Sequence, residues 1–310
     1  MRFRAQIALS LVALAASVLA VAFSAASFTD SKQNPQTITA IADWTAPSAE
    51  ASTIAPTSGG TAGYLKSAKP TYYVYAKVSD SGNPASGIAS IKANVNNLTS
   101  GQTAVTLTVG SYSVGGVSYN YRSVSLTAGT LSAGSKAYSL ALADKAGNTE
   151  SAEFSVTVLS GFAAASFATT NVSGGNEGKP EKGDTAIFTY NSQPLPSSIV
   201  SGWSGASPVS VTATITQSSS NDTLTVSSAT LGTVELKGNY VSKTVTFTSS
   251  SLTLEGSSVV LTLGTPSSSS SVEDDNGNRA PIWKPSASAK DLAENACSAA
   301  SVTAGSDRQF

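Results

Sequence analysis

The chemistry available to this chain is carried mainly by its 19 acidic side chains, most of which stand singly among turn-forming residues. Asp80 lies in Ser79-Asp80-Ser81-Gly82-Asn83-Pro84, and Asp144 opens Asp144-Lys145-Ala146-Gly147-Asn148. Calcium wants several hard oxygen ligands, which carboxylates and loop carbonyls supply. Asp80 and Asp144 are therefore candidate calcium ligands, provided that the fold gathers their loops at one end. The densest acidic run, Glu273-Asp274-Asp275-Asn276-Gly277-Asn278, makes Asp274 and Asp275 a second candidate pair. It lacks the Asp-x-Asp-x-Asp-Gly spacing and the later bidentate glutamate of a helix–loop–helix calcium site. The competing reading in every case is turn chemistry, in which Asp and Asn side chains accept hydrogen bonds from nearby backbone.

Aromatic residues offer a second kind of site. Trp44, Trp203 and Trp283, with Tyr72, Tyr73 and Tyr75, have the amphipathic faces that stack on sugar rings. Trp203, in Gly202-Trp203-Ser204-Gly205, reads as loop-borne and is the candidate glycan residue; core filling is the alternative for all of them. Histidine is absent, which excludes Ser-His-Asp and Cys-His catalysis and imidazole metal ligation. The acids form no evident pair for acid–base work, so no catalytic residue is assigned and a non-enzymatic protein is expected. Cys297 is the single cysteine, so the chain forms no internal disulfide, and it reads as a half-buried structural thiol. No cofactor other than calcium is suggested.

These residues have to be positioned by strands. Charged residues make up 12% of the chain and apolar residues 40%, a mixture that suits strands and small-residue turns better than surface helices. Arginines are scattered and no basic run exists, which argues against nucleic-acid binding. Short β-rich segments recur between Gly, Ser, Asn and Asp: 72–78, 88–95, 104–109, 118–126, 137–143 and 153–158, then 184–190, 209–216, 224–227, 244–248 and 258–263. The serine run 267–271 is a loop by composition, and 48–63 reads as a Thr/Ser/Gly stretch. At 310 residues, the chain divides into a leader (1–26), a polar tether (27–42) and two all-β sandwich domains (43–160 and 161–310). One echo links the halves. Asp144-x-Ala146-Gly147-Asn148-x-x-Ser151-Ala152 recurs as Asp291-x-Ala293-Glu294-Asn295-x-x-Ser298-Ala299, each ahead of an expected final strand. Glu294 replaces the glycine, which predicts a different backbone geometry in the second turn.

The leader has the order of a secretory signal: Arg2 and Arg4, an apolar run to Ala22, then a small-residue cleavage site at Ser24-Ala25-Ala26. The alternative is an uncleaved anchor, the one route by which the chain would hold a membrane. Ser27-Phe28-Thr29-Asp30-Ser31-Lys32 resembles the segment after the signal peptide in bacterial biofilm-fibre subunits and camelysin-like proteins. That resemblance implies export from a Gram-positive or related bacterium and a place in the extracellular matrix. The first domain is similar to bacterial immunoglobulin-like domains, on Asp43-x-x-x-Pro47, the Tyr/Val strand 72–78, Gly82 to Gly87 with Ile88 and Ile91, and Asp144-Lys145-Ala146-Gly147-Asn148. The second resembles those that open with a Gly-Asp-Thr strand, here Gly183-Asp184-Thr185, but Tyr190-Asn191-Ser192-Gln193-Pro194 replaces their Phe-Ser-Glu-Pro segment.

The resulting expectation is a secreted or cell-surface structural or adhesive protein, with immunoglobulin-like sandwiches contacting other surface or matrix proteins or copies of itself. A carbohydrate-binding module of the matrix is the alternative. The last residues, Asp307-Arg308-Gln309-Phe310, carry no apolar tail or sorting motif, so covalent wall anchoring is not expected.

Overall fold

Strand formation follows the apolar alternation where the sequence displays it and strand pairing where it does not. The computed structural model describes residues 43–310, so the expected leader and tether lie outside the described residues. In the first half the strands are β1 (Ser48–Pro56), β2 (Tyr64–Lys66), β3 (Thr71–Ser79), β4 (Ile88–Asn94), β5 (Val105–Val114), β6 (Val117–Ser123), β7 (Leu126–Thr127), β8 (Gly134–Asp144) and β9 (Thr149–Leu159). One layer runs β1-β3-β6-β5, with β7 continuing the pairing along β3; the other runs β4-β8-β9-β2. Strand β5 joins them, pairing with β4 at Val105 and Thr106 and with β6 from Leu107 onward.

Between the layers lies a core that includes Ile54, Leu65, Tyr72, Val74, Ile91, Leu140 and Val156. The first described strand is split: β1 pairs antiparallel with β3, and β2 then pairs parallel with this sandwich's last strand, β9. Gly59 and Gly60, both with positive φ, turn the chain from one layer to the other. This grouping makes a two-layer β-sandwich.

The expected Thr/Ser/Gly stretch after Pro47 is therefore in large part a strand. Ser48–Pro56 buries only Ile54 and Ala55 fully, and its ladder to β3 holds it in place.

The second half contains β10 (Ala164–Thr170), β11 (Thr185–Tyr190), a one-turn helix α1 (Pro196–Ile199), β12 (Val209–Thr216), β13 (Thr223–Val226), β14 (Thr233–Glu235), β15 (Val245–Glu255), β16 (Ser258–Thr262), β17 (Thr265–Pro266), β18 (Ile282–Lys284) and β19 (Val302–Thr303). Its sheet runs β10-β11-β16-β15-β12-β13-β14-β18-β19, with β17 paired to β15. The sheet curls until β10 and β19 approach each other. Inside, the Phe188 and Tyr190 rings meet Trp283 edge-on at 5.2 and 5.0 Å between centroids. Edge-to-face contact matches the charge distribution of aromatic rings. The serine run 267–271 ends in a single 3₁₀ turn.

Candidate functional site

Three loops meet where the first sandwich begins. Asp43 precedes β1, Asp80 follows β3 and Asp144 ends β8; each offers a carboxylate oxygen, and these oxygens lie within 4.8 Å of one another. The loops are set by local chemistry. Asp43 accepts hydrogen bonds from the backbone amides of Thr45 (3.0 Å) and Ser86 (2.7 Å), which ties the start of the sandwich to the loop after β3. The Gly87 amide donates to Asp80 Oδ2 at 2.6 Å. Asn148 donates to both Asp144 oxygens, from its backbone N–H at 2.8 Å and its side-chain amide at 2.7 Å. Gly82 lies against the Asp43 carboxylate, and a side chain there would overlap it.

The charges are incompletely matched by this framework. Asp43 and Asp144 are buried, and Asp80 is half-buried. Asp80 Oδ1 is fully enclosed and accepts no hydrogen bond among the described residues. None of the three aspartates forms an ion pair among those residues either. The Thr45 amide, followed by that of Ser86, holds the Asp43 carboxyl below its ordinary range. Three close carboxylates, one with an enclosed oxygen that accepts no hydrogen bond, offer the kind of donor set that a hard divalent cation takes, with loop carbonyls and water completing six to eight ligands. Asp80 and Asp144 were candidates from their loops alone. Asp43 was visible only as the first residue of Asp43-x-x-x-Pro47, with nothing to mark it as a ligand.

The repeated turn is a structural repeat as well. In the second half, Asn295 donates to Asp291 from its backbone N–H and its side-chain amide, both at 2.8 Å, as Asn148 does to Asp144. Each Asp amide donates to the carbonyl of its Asn at 3.1 Å. The geometry expected to change is instead retained: Glu294 has φ 63° where Gly147 has φ 95°. A non-glycine residue pays a conformational cost in that region, which the surrounding hydrogen bonds hold in place. The second turn leads only to isolated bridges and the two-residue β19, not to a long final strand.

Both asparagines also grip the segment that leads into their own sandwich. Asn148 Nδ2 donates to the Asp43 carbonyl at 3.1 Å, and Asn295 Nδ2 donates to the Leu159 carbonyl at 3.3 Å. At the second position the turn touches the first sandwich directly. The Thr61 amide donates to the Leu292 carbonyl at 2.8 Å, and the Glu294 carboxylate lies against Gly59. Asp43 is thus matched by Leu159, and among the described residues the second turn has no comparable trio of carboxylates. Burial pushes the Asp291 carboxyl up, against the pull of its Asn295 and Ala293 hydrogen bonds.

The remaining candidates are occupied by structural contacts. Burial disfavours ionisation of Asp275, but Arg279 and the Gly277 and Asn239 amides outweigh it and keep its carboxyl low. Asp274 is bound by Arg308 at 3.3 Å. Trp203 stands in a loop, as expected, but is only 6% exposed and packs in the second core, with Nε1 donating to the Ser207 carbonyl at 2.8 Å. Its indole faces are covered by neighbours and offer a sugar no stacking surface. Trp283 and Tyr72 are likewise core residues, whereas Trp44 is 82% exposed. Cys297 is fully buried rather than half-buried, and burial pushes its thiol up. No helix among the described residues is long and apolar enough to cross a membrane. The chain matches no protein-family model, and no curated protein is similar to it in sequence.

Proposed function

We propose that this chain is a non-catalytic, exported structural or adhesive protein of the cell surface or extracellular matrix, with a divalent cation, calcium by ligand type, stapling the start of its first sandwich. The observation that carries the reading is the Asp–Asn turn used twice to grip an incoming segment, once with Asp43, Asp80 and Asp144 gathered beside it. A joint of that kind fixes the direction in which chain enters a module, which is what a spacer or adhesive stalk requires. The ion would bridge three segments far apart in sequence and so resist their separation. The basic and apolar leader supports export.

The test uses the mature chain, residues 27–310. Terbium substitutes for calcium and is excited through a nearby indole; Trp44, adjacent to Asp43, is placed to sensitise it. We expect terbium luminescence that calcium displaces, and sedimentation that changes between calcium and chelator. Luminescence absent in the wild type, or unchanged in Asp144→Asn, would remove the cation from the reading. A monomer that binds no surface material in either condition would remove the adhesive role.

A further inference from the structure

Four tyrosines form a small cluster of their own on the β1-β3-β6-β5 layer, separate from the main core of the first sandwich. Tyr75 and Tyr119 are buried in it, and Tyr73 and Tyr112 are half-buried. Arg122 stands opposite Tyr75 in the β3–β6 pairing. Its guanidinium carbon is 4.3 Å from the Tyr73 ring centroid and 4.6 Å from that of Tyr112. Tyr112 reaches this position through a β-bulge between Val109 and Tyr112, and its hydroxyl lies where a side chain on Gly110 would be. Two local devices, a bulge and a glycine, therefore bring the second ring to the arginine.

Rings hold this guanidinium, but no acid neutralises it. Among the described residues Arg122 has no ion-pair partner, and its N–H groups donate no hydrogen bond to protein. Lys77, further along β3, is already paired with Glu50 at 2.6 Å, so the face keeps one positive charge in excess. An arginine flanked by aromatic rings keeps its planar N–H edge free, and that edge matches a carboxylate or sulfate in a two-pronged fork. Across the β1–β3 pairing, small Ala55 stands beside Tyr73.

We infer that this face binds an acidic polysaccharide, with Arg122 taking a uronate or sulfate group and the half-buried Tyr73 and Tyr112 contacting the sugar rings. A polysaccharide fits better than an acidic peptide, because an extended peptide docks chiefly through backbone pairing at a sheet edge. The groups assembled here stand on a sheet face, where amphipathic rings and a fixed charge suit sugar chemistry. The site is distinct from the Asp43–Asp80–Asp144 cluster and does not depend on it.

The experiment titrates the mature chain with polygalacturonate, heparin, dextran and polyglutamate by calorimetry, in calcium and in chelator. Binding of polygalacturonate or heparin is expected, with dextran silent and the affinity falling with salt. Polygalacturonate carries carboxylates alone and heparin both carboxylates and sulfates, so binding of heparin without polygalacturonate identifies sulfate and binding of polygalacturonate identifies uronate. Arg122→Gln should weaken binding at least about tenfold, and Arg122→Lys should weaken it less, because lysine keeps the charge but loses the fork. A melting curve unchanged in Arg122→Gln separates this from misfolding. The inference is overturned if neither anionic polymer binds, if well-folded Arg122→Gln binds as tightly as wild type, or if polyglutamate binds as tightly as the sugars. Equal binding in calcium and chelator is expected, so failure of the cation reading leaves this result standing.

Discussion

Replacing Asp80 with asparagine should change the sign of its effect on stability according to whether calcium is present. The Asp80 and Asp144 oxygens lie within 4.8 Å, a distance at which two unit charges repel by about 3.5 kcal/mol at an effective dielectric constant of about 20. Asp80 is half-buried, so solvent screening reduces the usable part to about 1 kcal/mol. Asparagine removes that repulsion and keeps a side-chain oxygen to accept the Gly87 amide. Without calcium the variant should therefore be about 1 kcal/mol more stable than wild type. With calcium at a hundred times its dissociation constant, binding adds about 2.7 kcal/mol to the wild type. The variant, lacking one charged ligand, loses most of that gain. For a protein of this size each kcal/mol moves the melting temperature by about 2–4 °C. Differential scanning calorimetry should show the variant melting about 2–4 °C above wild type in chelator and several degrees below it in calcium. The reasoning fails if the variant melts lower in chelator, or if calcium shifts both proteins equally.

Other outcomes follow from the same geometry. Gly82→Ala pushes a methyl group into the Asp43 carboxylate, so it should abolish the calcium-induced melting shift and cost about 1–3 kcal/mol in urea unfolding. Trp203→Ala should cost about 3–5 kcal/mol by the same assay and leave polysaccharide titrations unaltered, because the indole lies in the core. Burial raises the Asp184 and Asp291 carboxyls above their ordinary 3.8, so their favourable contribution is complete below that value and is lost as pH rises through their folded-state values. Asp43 is shifted the other way, so its contribution is present above 3.8 and is lost as acid protonates it. Relative to an Asp184→Asn, Asp291→Asn double variant, the wild type should therefore lose stability in urea unfolding as pH rises above 3.8. The lysine-paired Glu50 and Glu235 add stability over that range in both proteins.

The strands whose apolar residues alternate were legible without coordinates. Val209–Thr216 was expected as a strand and is one, and Tyr72–Val78 lies within Thr71–Ser79. Ser48–Pro56 was not legible, because small and polar residues give it no periodic signal and its strand character comes from pairing with β3. The loop aspartates Asp80 and Asp144 were visible as candidate ligands because turn residues advertise loops. Asp43 was not, because its relation to them depends on which loops the sandwich brings together. Asp275 and Trp203 show the converse: Arg279, only four residues on, pairs with the first, and a core assembled from distant strands claims the second. At Glu294 the local rule gave the wrong geometry, since hydrogen bonds to Asp291 hold a left-handed residue that propensity alone disfavours.

The split first strand also determines how the module carries tension. Strands β2 and β9 run parallel, with Tyr64 opposite Thr157 and Lys66 opposite Leu159. A pull applied at the start of the first sandwich and at its junction with the second draws these two strands in opposite directions along their shared ladder. Its hydrogen bonds, including Thr157 N–H to the Gly63 carbonyl and Ser67 N–H to the Leu159 carbonyl, are then sheared together rather than opened one after another. Rupture by shear needs several bonds to fail at once, so the force meets its main resistance at this short parallel seam.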